Sequence, residues 1–451
     1  MLVPTQSVAN RPAPYCPSVA APTEPSHSTG VFVRRAPEAV PKAAARAAKS
    51  FAGVGSLIAV GYVDPGNWAT DLAAGSRYGY ELLWVVLASS LIGLLLQALS
   101  VRLGVATGRN LAEVCREAYP RLRIPLWITA EVAIAATDLA ELLGSAIALE
   151  LLLGIPLWAG VLLTTVDVLA LLGLGRVRGR VLERIVLVLG LAVGAGFAFE
   201  LALSHPAPGA VLAGFLPTTA IVHDGALATL AVGILGATVM PHNLYLHSHV
   251  VNTRAFAPTP SGRLDATRRA TWDTVVSLGV AMAINLAILV VAASTFHSAH
   301  FEVAELSDAH ALLRSLLGSR LAPIVFALAL LAAGQSAAVT GTMAGDVVMT
   351  GFLRLRLTPW IRRVATRGLA LGPALAATLA AGDHGAGRLL IASQVVLSLQ
   401  LGFAVVPLVL LVSDRRRVGG LALSLSGKVI AWSATVAVLA VNALLLASLA
   451  R

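Results

Sequence analysis

About eleven stretches of this chain are each apolar over roughly 20 residues, the length a helix needs to cross a bilayer. They centre near 50–79, 81–105, 124–152, 157–173, 181–203, 226–253, 271–296, 322–352, 359–381, 388–413 and 426–450. Backbone in hydrocarbon must satisfy its own N–H and C=O groups, so segments of this length span as helices. The expected fold class is therefore all-α, a polytopic membrane protein. Composition agrees: 57% of the 451 residues are hydrophobic and 12% are charged, a balance no ordinary soluble domain has.

The net charge of +10 raises the question of nucleic acid, and its placement answers it. Arginines gather in alternate loops, at Arg109, Arg116, Arg121 and Arg123, at Arg176, Arg178 and Arg180, at Arg254, Arg263, Arg268 and Arg269, at Arg354, Arg356, Arg362 and Arg363, and at Arg415, Arg416 and Arg417. Residues 204–224 contain no Lys or Arg. This positive-inside pattern sets the N-terminus in the cytoplasm and the C-terminus outside, with the chain in the plasma membrane. A basic face beside anionic lipid needs no nucleic-acid partner. Residues 1–46, rich in Pro, Ala and Ser, read as a disordered cytoplasmic tail. The two cysteines, Cys16 and Cys115, fall in that tail and in a cytoplasmic loop, where a structural disulfide is not expected.

Two of the apolar segments are interrupted, the first by Asp64-Pro65-Gly66-Asn67 and the sixth by Met240-Pro241-His242-Asn243. Both interruptions read X-Pro-X-Asn. Proline removes a backbone donor and clashes with the preceding turn, so each helix breaks there. Broken backbone at bilayer depth is tolerated only where protein buries it or a cavity receives it. Paired breaks in corresponding places point to a transporter's substrate site. The groups on offer are the carboxylate of Asp64, the carboxamide of Asn67 and the thioether of Met240. An intramembrane carboxylate is a functional group by default, although capping a half-helix is its structural alternative. A methionine in a membrane helix is ordinarily packing; beside this break, and facing Asp64, it reads as a ligand. Sulfur is of no use to Mg²⁺ or Ca²⁺, so the set suits a divalent transition metal. That ion is substrate, and no cofactor is expected.

Breaks in the first and sixth segments divide the first ten into two sets of five. Five is odd, so the second set starts from the opposite side of the membrane. The expected organisation is a ten-helix core over 47–414, with repeats at 47–204 and 224–414, and an accessory eleventh helix at 426–451. Beyond the two X-Pro-X-Asn breaks the halves share no obvious identity.

Protons need their own route. Glu131, Asp138 and Glu141 occupy the third segment at offsets of seven and three, which puts them on one helix face over about 15 Å. A line of acids through a bilayer is the expected form of a proton path, and a structural ion-pair network with Arg254, Arg362 or Arg363 is compatible with it. His242, directly after the second break, carries a group that titrates near physiological pH. His247 lies about 140° further round the helix and reads as structural.

Asp64-Pro-Gly-Asn-Trp-Ala-Thr-Asp71, Asn110-Leu-Ala-Glu-Val-Cys-Arg116, Ala136-Thr-Asp-Leu-Ala-Glu141 and Met240-Pro-His-Asn-Leu-Tyr-Leu-His-Ser248 resemble the signatures of the Nramp family, with Gln394 to Gln400 similar to its tenth helix. The resemblance covers about 50–413. It implies a LeuT-type 5+5 inverted repeat and proton-coupled import of manganese, ferrous iron and related ions. It also implies that the freed carbonyl of Ala237 joins Met240 on the ion, with the Gly61 carbonyl and Gln394 taking part in some states, and that His242 tunes proton coupling. The chain departs from the pattern at Trp68, at Asp346 in place of glutamine, and at Gly402 in place of proline. The competing functions are a same-fold Na⁺-coupled solute symporter and a non-transporting metal sensor. A membrane metalloenzyme would want a Cys cluster or a His triad, and the sequence has neither.

Overall fold

The structure, a computed structural model, describes residues 53–173, 179–355, 359–381 and 385–449; the side chains of 166–186, 359–360, 362–367, 377, 380–381 and 448–449 are outside the described ones. The tail at 1–46 with Cys16, and the loop arginines Arg176, Arg178 and Arg356, also lie outside the described residues. Every regular element among those described is helical.

The first apolar segment is two half-helices, α1 (Val54–Gly61) and α2 (Pro65–Tyr78). Next come α3 (Leu83–Thr107), a short α4 (Leu111–Ala118), α5 (Arg123–Leu153), α6 (Leu157–Gly173) and α7 (Gly179–Ser204). Two short turns, α8 (Pro208–Ala213) and α9 (Ala220–His223), lead to the second broken pair, α10 (Gly225–Thr238) and α11 (Pro241–Val250). The chain continues through α12 (Pro260–Thr295), α13 (Leu306–Leu316), α14 (Ala322–Leu353), α15 (Pro359–Ala381), α16 (Ala386–Ser413), α17 (Arg415–Val418) and α18 (Leu425–Leu449). Each of the eleven apolar stretches is thus a helix or a broken helix. Eight spans among the described residues meet the length and apolarity needed to cross a membrane. The divided first segment and the 17-residue α6 fall short of that length, and α15 is outside the eight because side chains along it lie outside the described residues.

Lipid removes most of the hydrophobic drive between helices, so close backbone approach and interhelical hydrogen bonds must supply the contact. The α5–α14 pair shows the close approach: Gly334 leaves room for Ser145, and Gly341 leaves room for the acids of α5. At the first break, Gly144 of α5 seats Pro65 directly, where a Cβ would collide with the ring. The start of α1 is held by α12, with Gly55 N donating to Asp273 Oδ2 at 2.6 Å. The eleventh helix, α18, docks on α16 through Asn442 and Ser398, whose hydroxyl donates to Asn442 Oδ1 at 2.7 Å while Asn442 Nδ2 donates to Ser398 O at 2.8 Å. Gly402 faces α18, where a Cβ would sit 2.9 Å from Leu439. Outward-facing apolar side chains, such as Leu191 on α7, Val276 on α12 and Val436 on α18, form the exposed belt.

Motifs outside the breaks have local reasons. Asn110 and Glu113 form a reciprocal capping box at the start of α4, with Glu113 N donating to Asn110 Oδ1 at 2.9 Å and Asn110 N to Glu113 Oε2 at 3.0 Å. Leu111 N then donates to Ser248 Oγ at 2.8 Å, which ties α4 to α11.

Candidate functional site

The two breaks are built alike. After α1, Tyr62 N and Val63 N fall back on Ala59 O and Val60 O, and Asp64 is extended (φ −89°, ψ 165°) before Pro65 opens α2. After α10, Val239 N falls back on Leu235 O, and Met240 is extended (φ −75°, ψ 118°) before Pro241 opens α11. Proline at the first helical position has no N–H to leave unsatisfied, so it ends one half-helix and starts the next.

Asp64 is fully buried and serves as the N-cap of α2. The cap uses a single oxygen: Oδ1 accepts from Asn67 N at 2.9 Å and from Asn67 Nδ2 at 2.8 Å. Oδ2 is buried with no hydrogen-bond partner. Capping therefore leaves half of the carboxylate free to act.

Asn67 Nδ2 also donates to Ala237 O at 3.0 Å, three residues before Met240. One amide nitrogen thus holds an oxygen from each break. Asn243, the last residue of the second X-Pro-X-Asn, mirrors it: its Nδ2 donates to Met240 Sδ at 3.5 Å. It also lies against Gly61, three residues before Asp64, where a Cβ would come within 2.6 Å of that nitrogen. Each asparagine binds the first residue of its own break and reaches the carbonyl-bearing end of the other. This reciprocity is what an inverted repeat requires at its axis.

Gln394 of α16 is fully buried, closes on Gly66 so tightly that a Cβ there would overlap its amide, and keeps Oε1 without a partner. The six candidate metal-site residues, Gly61, Asp64, Asn67, Ala237, Met240 and Gln394, are therefore linked through Asn67, Asn243 and Gly66. No group of three or more His, Cys, Asp or Glu side chains among the described residues could hold a metal. The arrangement is instead one carboxylate, amide and backbone oxygens, and a sulfur.

The acids of α5 divide. Asp138 and Glu141 both reach Gly341 of α14, whose Cβ would sit 2.8 Å from Glu141 Oε1 and 3.6 Å from Asp138 Oδ1. Glu141 lies one turn from Gly144 and so one turn from Pro65. His242 joins the same face, with Nδ1 3.3 Å from Thr137 Oγ1. Glu131 is further down the helix and accepts from Trp127 Nε1 at 3.1 Å. Arg254 is placed where its charge acts on Asp273, near the start of α1. The side chains of Arg362 and Arg363 lie outside the described residues.

Two side chains that sequence reading passed over support the first break. Asn285 of α12 donates to Tyr62 O at 2.9 Å and to Asn67 Oδ1 at 3.4 Å. Gln97 of α3 donates to Tyr62 Oη at 2.9 Å and meets His247 Nδ1 at 2.9 Å. His247 Nε2 lies 3.4 Å from Thr274 Oγ1, so both its ring nitrogens are engaged and its structural reading agrees with the geometry. Trp68 is packed edge-on between Phe197 and Phe326, with ring centroids 4.5 and 5.3 Å away, while Asp346 is exposed.

Comparison with known proteins sets this site in a family. The profile described as "Natural resistance-associated macrophage protein-like" matches residues 55–448. A divalent metal cation transporter MntH of Brucella suis is 53% identical over 379 residues, covering 84% of this chain and 83% of its own. One from Agrobacterium fabrum is 50% identical over 403 residues, covering 89% and 87%. Among solved structures, a manganese transporter of Eremococcus coleocola superposes with a TM-score of 0.81 at 34% identity, covering 89% of this chain and 86% of that one. MhsT, solved with L-phenylalanine, shares the fold alone, at a TM-score of 0.59 and 17% identity over 86% of this chain and 98% of that one. The expected LeuT-type fold, an inverted repeat with its first and sixth helices broken, is the fold observed, and this chain, a multi-pass membrane protein, belongs to the Nramp family.

Proposed function

We propose that the protein imports divalent transition metal ions, Mn²⁺ and Fe²⁺ first among them, by proton symport with alternating access. The observation that carries this reading is the Asn67 amide, bonded at once to Asp64 and to Ala237 O across the two breaks, with the Met240 sulfur bonded by the partner asparagine. A dication entering there finds two oxygens already held on one nitrogen, at 2.8 and 3.0 Å. To ligate, the ion must displace this nitrogen from the two oxygens, and Asn67 would then offer its Oδ1. Asp64, Asn67, the Ala237 carbonyl and Met240 take the ion, with the Gly61 carbonyl and Gln394 completing its shell as the helices shift.

The proton passes by Asp64 and Glu141 to Asp138 and then Glu131, tuned by His242 and by Arg254, Arg362 and Arg363. The repeats are 47–204 and 224–414, with α18 an accessory. With the N-terminus in the cytoplasm, the inside-negative potential favours import by about 2.3 kcal/mol per charge per 100 mV. The protein is a transporter and not an enzyme, and the ion is its cargo.

Uptake of Mn²⁺ into proteoliposomes containing a pH dye tests the coupling. Metal entry accompanied by internal acidification is expected, and Asp64→Ala should abolish both. Metal entry without acidification would leave a uniporter and overturn the symport reading.

A further inference from the structure

A polar stripe runs away from the site along α2. Asp64, Asn67, Asp71 and Tyr78 stand at offsets of three, seven and fourteen, so at 100° per residue they fall within about 60° of one another over about 21 Å. At its far end the Tyr78 hydroxyl donates to Asp224 Oδ2 at 3.0 Å. Gly75, on the same stripe, lets α12 close over it, since a Cβ there would lie 2.6 Å from Leu289 O.

Asp71 sits midway and takes no part in the site described above. It is fully buried, and neither carboxyl oxygen has a hydrogen-bond partner. The charge near enough to act on it is that of Asp64. Charged and titratable groups on the elements packed against α2 are engaged elsewhere. Asp224 accepts from Ala226 N and Leu227 N, Glu305 accepts from Gly387 N, and His297 Nδ1 meets Ser76 O. Asp273 holds Gly55, the α5 acids flank Gly341, His310 of α13 lies 6.4 Å from the Phe326 ring, Arg77 lies over the Tyr78 ring, and Arg388 is exposed. A carboxylate without a donor or counter-charge is too costly to bury ionised, so Asp71 keeps its proton while it is buried in this way.

We propose that Asp71 is a staging carboxylate for the incoming divalent metal ion, between an outer mouth at Tyr78–Asp224 and the main site at Asp64. When water and the ion reach it, the carboxyl gives its proton to the outer solvent and its oxygens take the dication. When the ion moves inward to Asp64, Asp71 takes a proton back from outside. Each of the two carboxylates, about two turns apart, is ionised in turn while it holds the dication, and Met240 is left to select the metal. The inference rests on the import reading and orientation above.

The test is the initial rate of Mn²⁺ uptake into proteoliposomes of the full chain at outer pH 5.5 and 7.5, for wild type, Asp71→Asn and Asp71→Glu. Asp71→Asn is expected to raise KM at pH 7.5 by about five-fold or more, with kcat within about two-fold, as loss of one charge on the approach path implies. The ratio of KM at the two pH values should shrink in Asp71→Asn and persist in Asp71→Glu. A wild-type KM and ratio in Asp71→Asn, or a fall in kcat at constant KM, would overturn the proposal. If the Asn variant does not fold, Asp71→Glu decides, since losing the wild-type ratio there counts against staging. Should wild-type protein take up no Mn²⁺ at all, the import reading fails separately. Mn²⁺ binding by paramagnetic resonance then decides for Asp71, with loss of a weak second site in Asp71→Asn supporting the proposal and unchanged binding ending it.

Discussion

Replacing Asn67 with alanine removes the contact that joins the two breaks, and with it the Oδ1 that accepts from Asn285 at 3.4 Å. The substitution removes Nδ2 and so both its bonds, to Asp64 Oδ1 and to Ala237 O. It leaves the backbone bond from residue 67 to Asp64 Oδ1, so α2 keeps its cap. A hydrogen bond to a charged group contributes about 1.5–3 kcal/mol and a neutral one about 0.5–1.5 kcal/mol, so the loss is about 2–4 kcal/mol. Asn243→Ala removes only the long Nδ2–Sδ bond, a weak acceptor, and should cost under about 1 kcal/mol. Denaturant or thermal unfolding of the purified protein, followed by far-ultraviolet dichroism without metal, measures both. Asn67→Ala should unfold well before Asn243→Ala, with the helical signal of the native state unchanged. Mn²⁺ affinity by calorimetry should fall about ten-fold or more in Asn67→Ala, the equivalent of losing at least 1.4 kcal/mol. Equal stabilities for the two variants, or a wild-type Mn²⁺ affinity in Asn67→Ala, would refute the argument that this amide preorganises the site.

Three further outcomes follow from single contacts. Cys115 is buried on α4, and burial pushes its thiol up to about 12 despite Arg417 nearby. Since the thiolate is the reactive form, maleimide should fail to label Cys115 at pH 8 in a Cys16→Ser background, and label it fully once the chain is unfolded. Gly341→Ala sets a methyl against Glu141 and Asp138; the pH profile of uptake should shift while Mn²⁺ affinity by calorimetry stays within about two-fold, being decided at the breaks. The Asp224 carboxyl is held below its usual range, chiefly by the Leu227 amide. Its cap therefore stabilises α10 above the ordinary aspartate pKa and weakens as pH falls through the lowered value. Asp224→Ala should cost about 1 kcal/mol at pH 7, and a difference from wild type that persisted undiminished below pH 3 would contradict the sign.

The fold was legible because hydrocarbon permits few solutions: long apolar runs must be helices, and X-Pro-X-Asn must break them. Asp64, Asn67 and Met240 were legible for the same reason, being polar or soft groups placed at a break. Asn243 could have been found from the same pattern, since it repeats Asn67 in the second half, but beside a thioether it offers no familiar pairing. Asn285 and Gln97 gave no signal. Each is a lone amide in an apolar helix, and their partners Tyr62 and Asn67 are 35 to 223 residues away in sequence. The short α4 and α13, at 8 and 11 residues, lay below the length at which the spanning argument operates.

The reciprocity of the two asparagines bears on how the site could move. Asn67 is rigid with α2 but bonded to the end of α10, while Asn243 is rigid with α11 and pressed on the end of α1. In the orientation proposed above, a tilt of α1 that opened a path from the cytoplasm would withdraw Gly61 from Asn243, whose Nδ2 holds the Met240 sulfur. A movement of α10 away from α2 would instead pull Ala237 O from Asn67 and loosen the oxygen side of the site. With the orientation and ligands proposed above, the two sides of the membrane would act on different ligands, one through sulfur and one through oxygen. Under the import reading, a cadmium ion, which favours sulfur, and a manganese ion, which favours oxygen, should respond unequally to Gly61→Ala. That substitution forces Asn243 aside and should lower Cd²⁺ affinity by a larger factor than Mn²⁺ affinity in calorimetry, because the group displaced is the one that holds the sulfur. Equal losses for the two ions would mean that the breaks do not divide the ligands in this way.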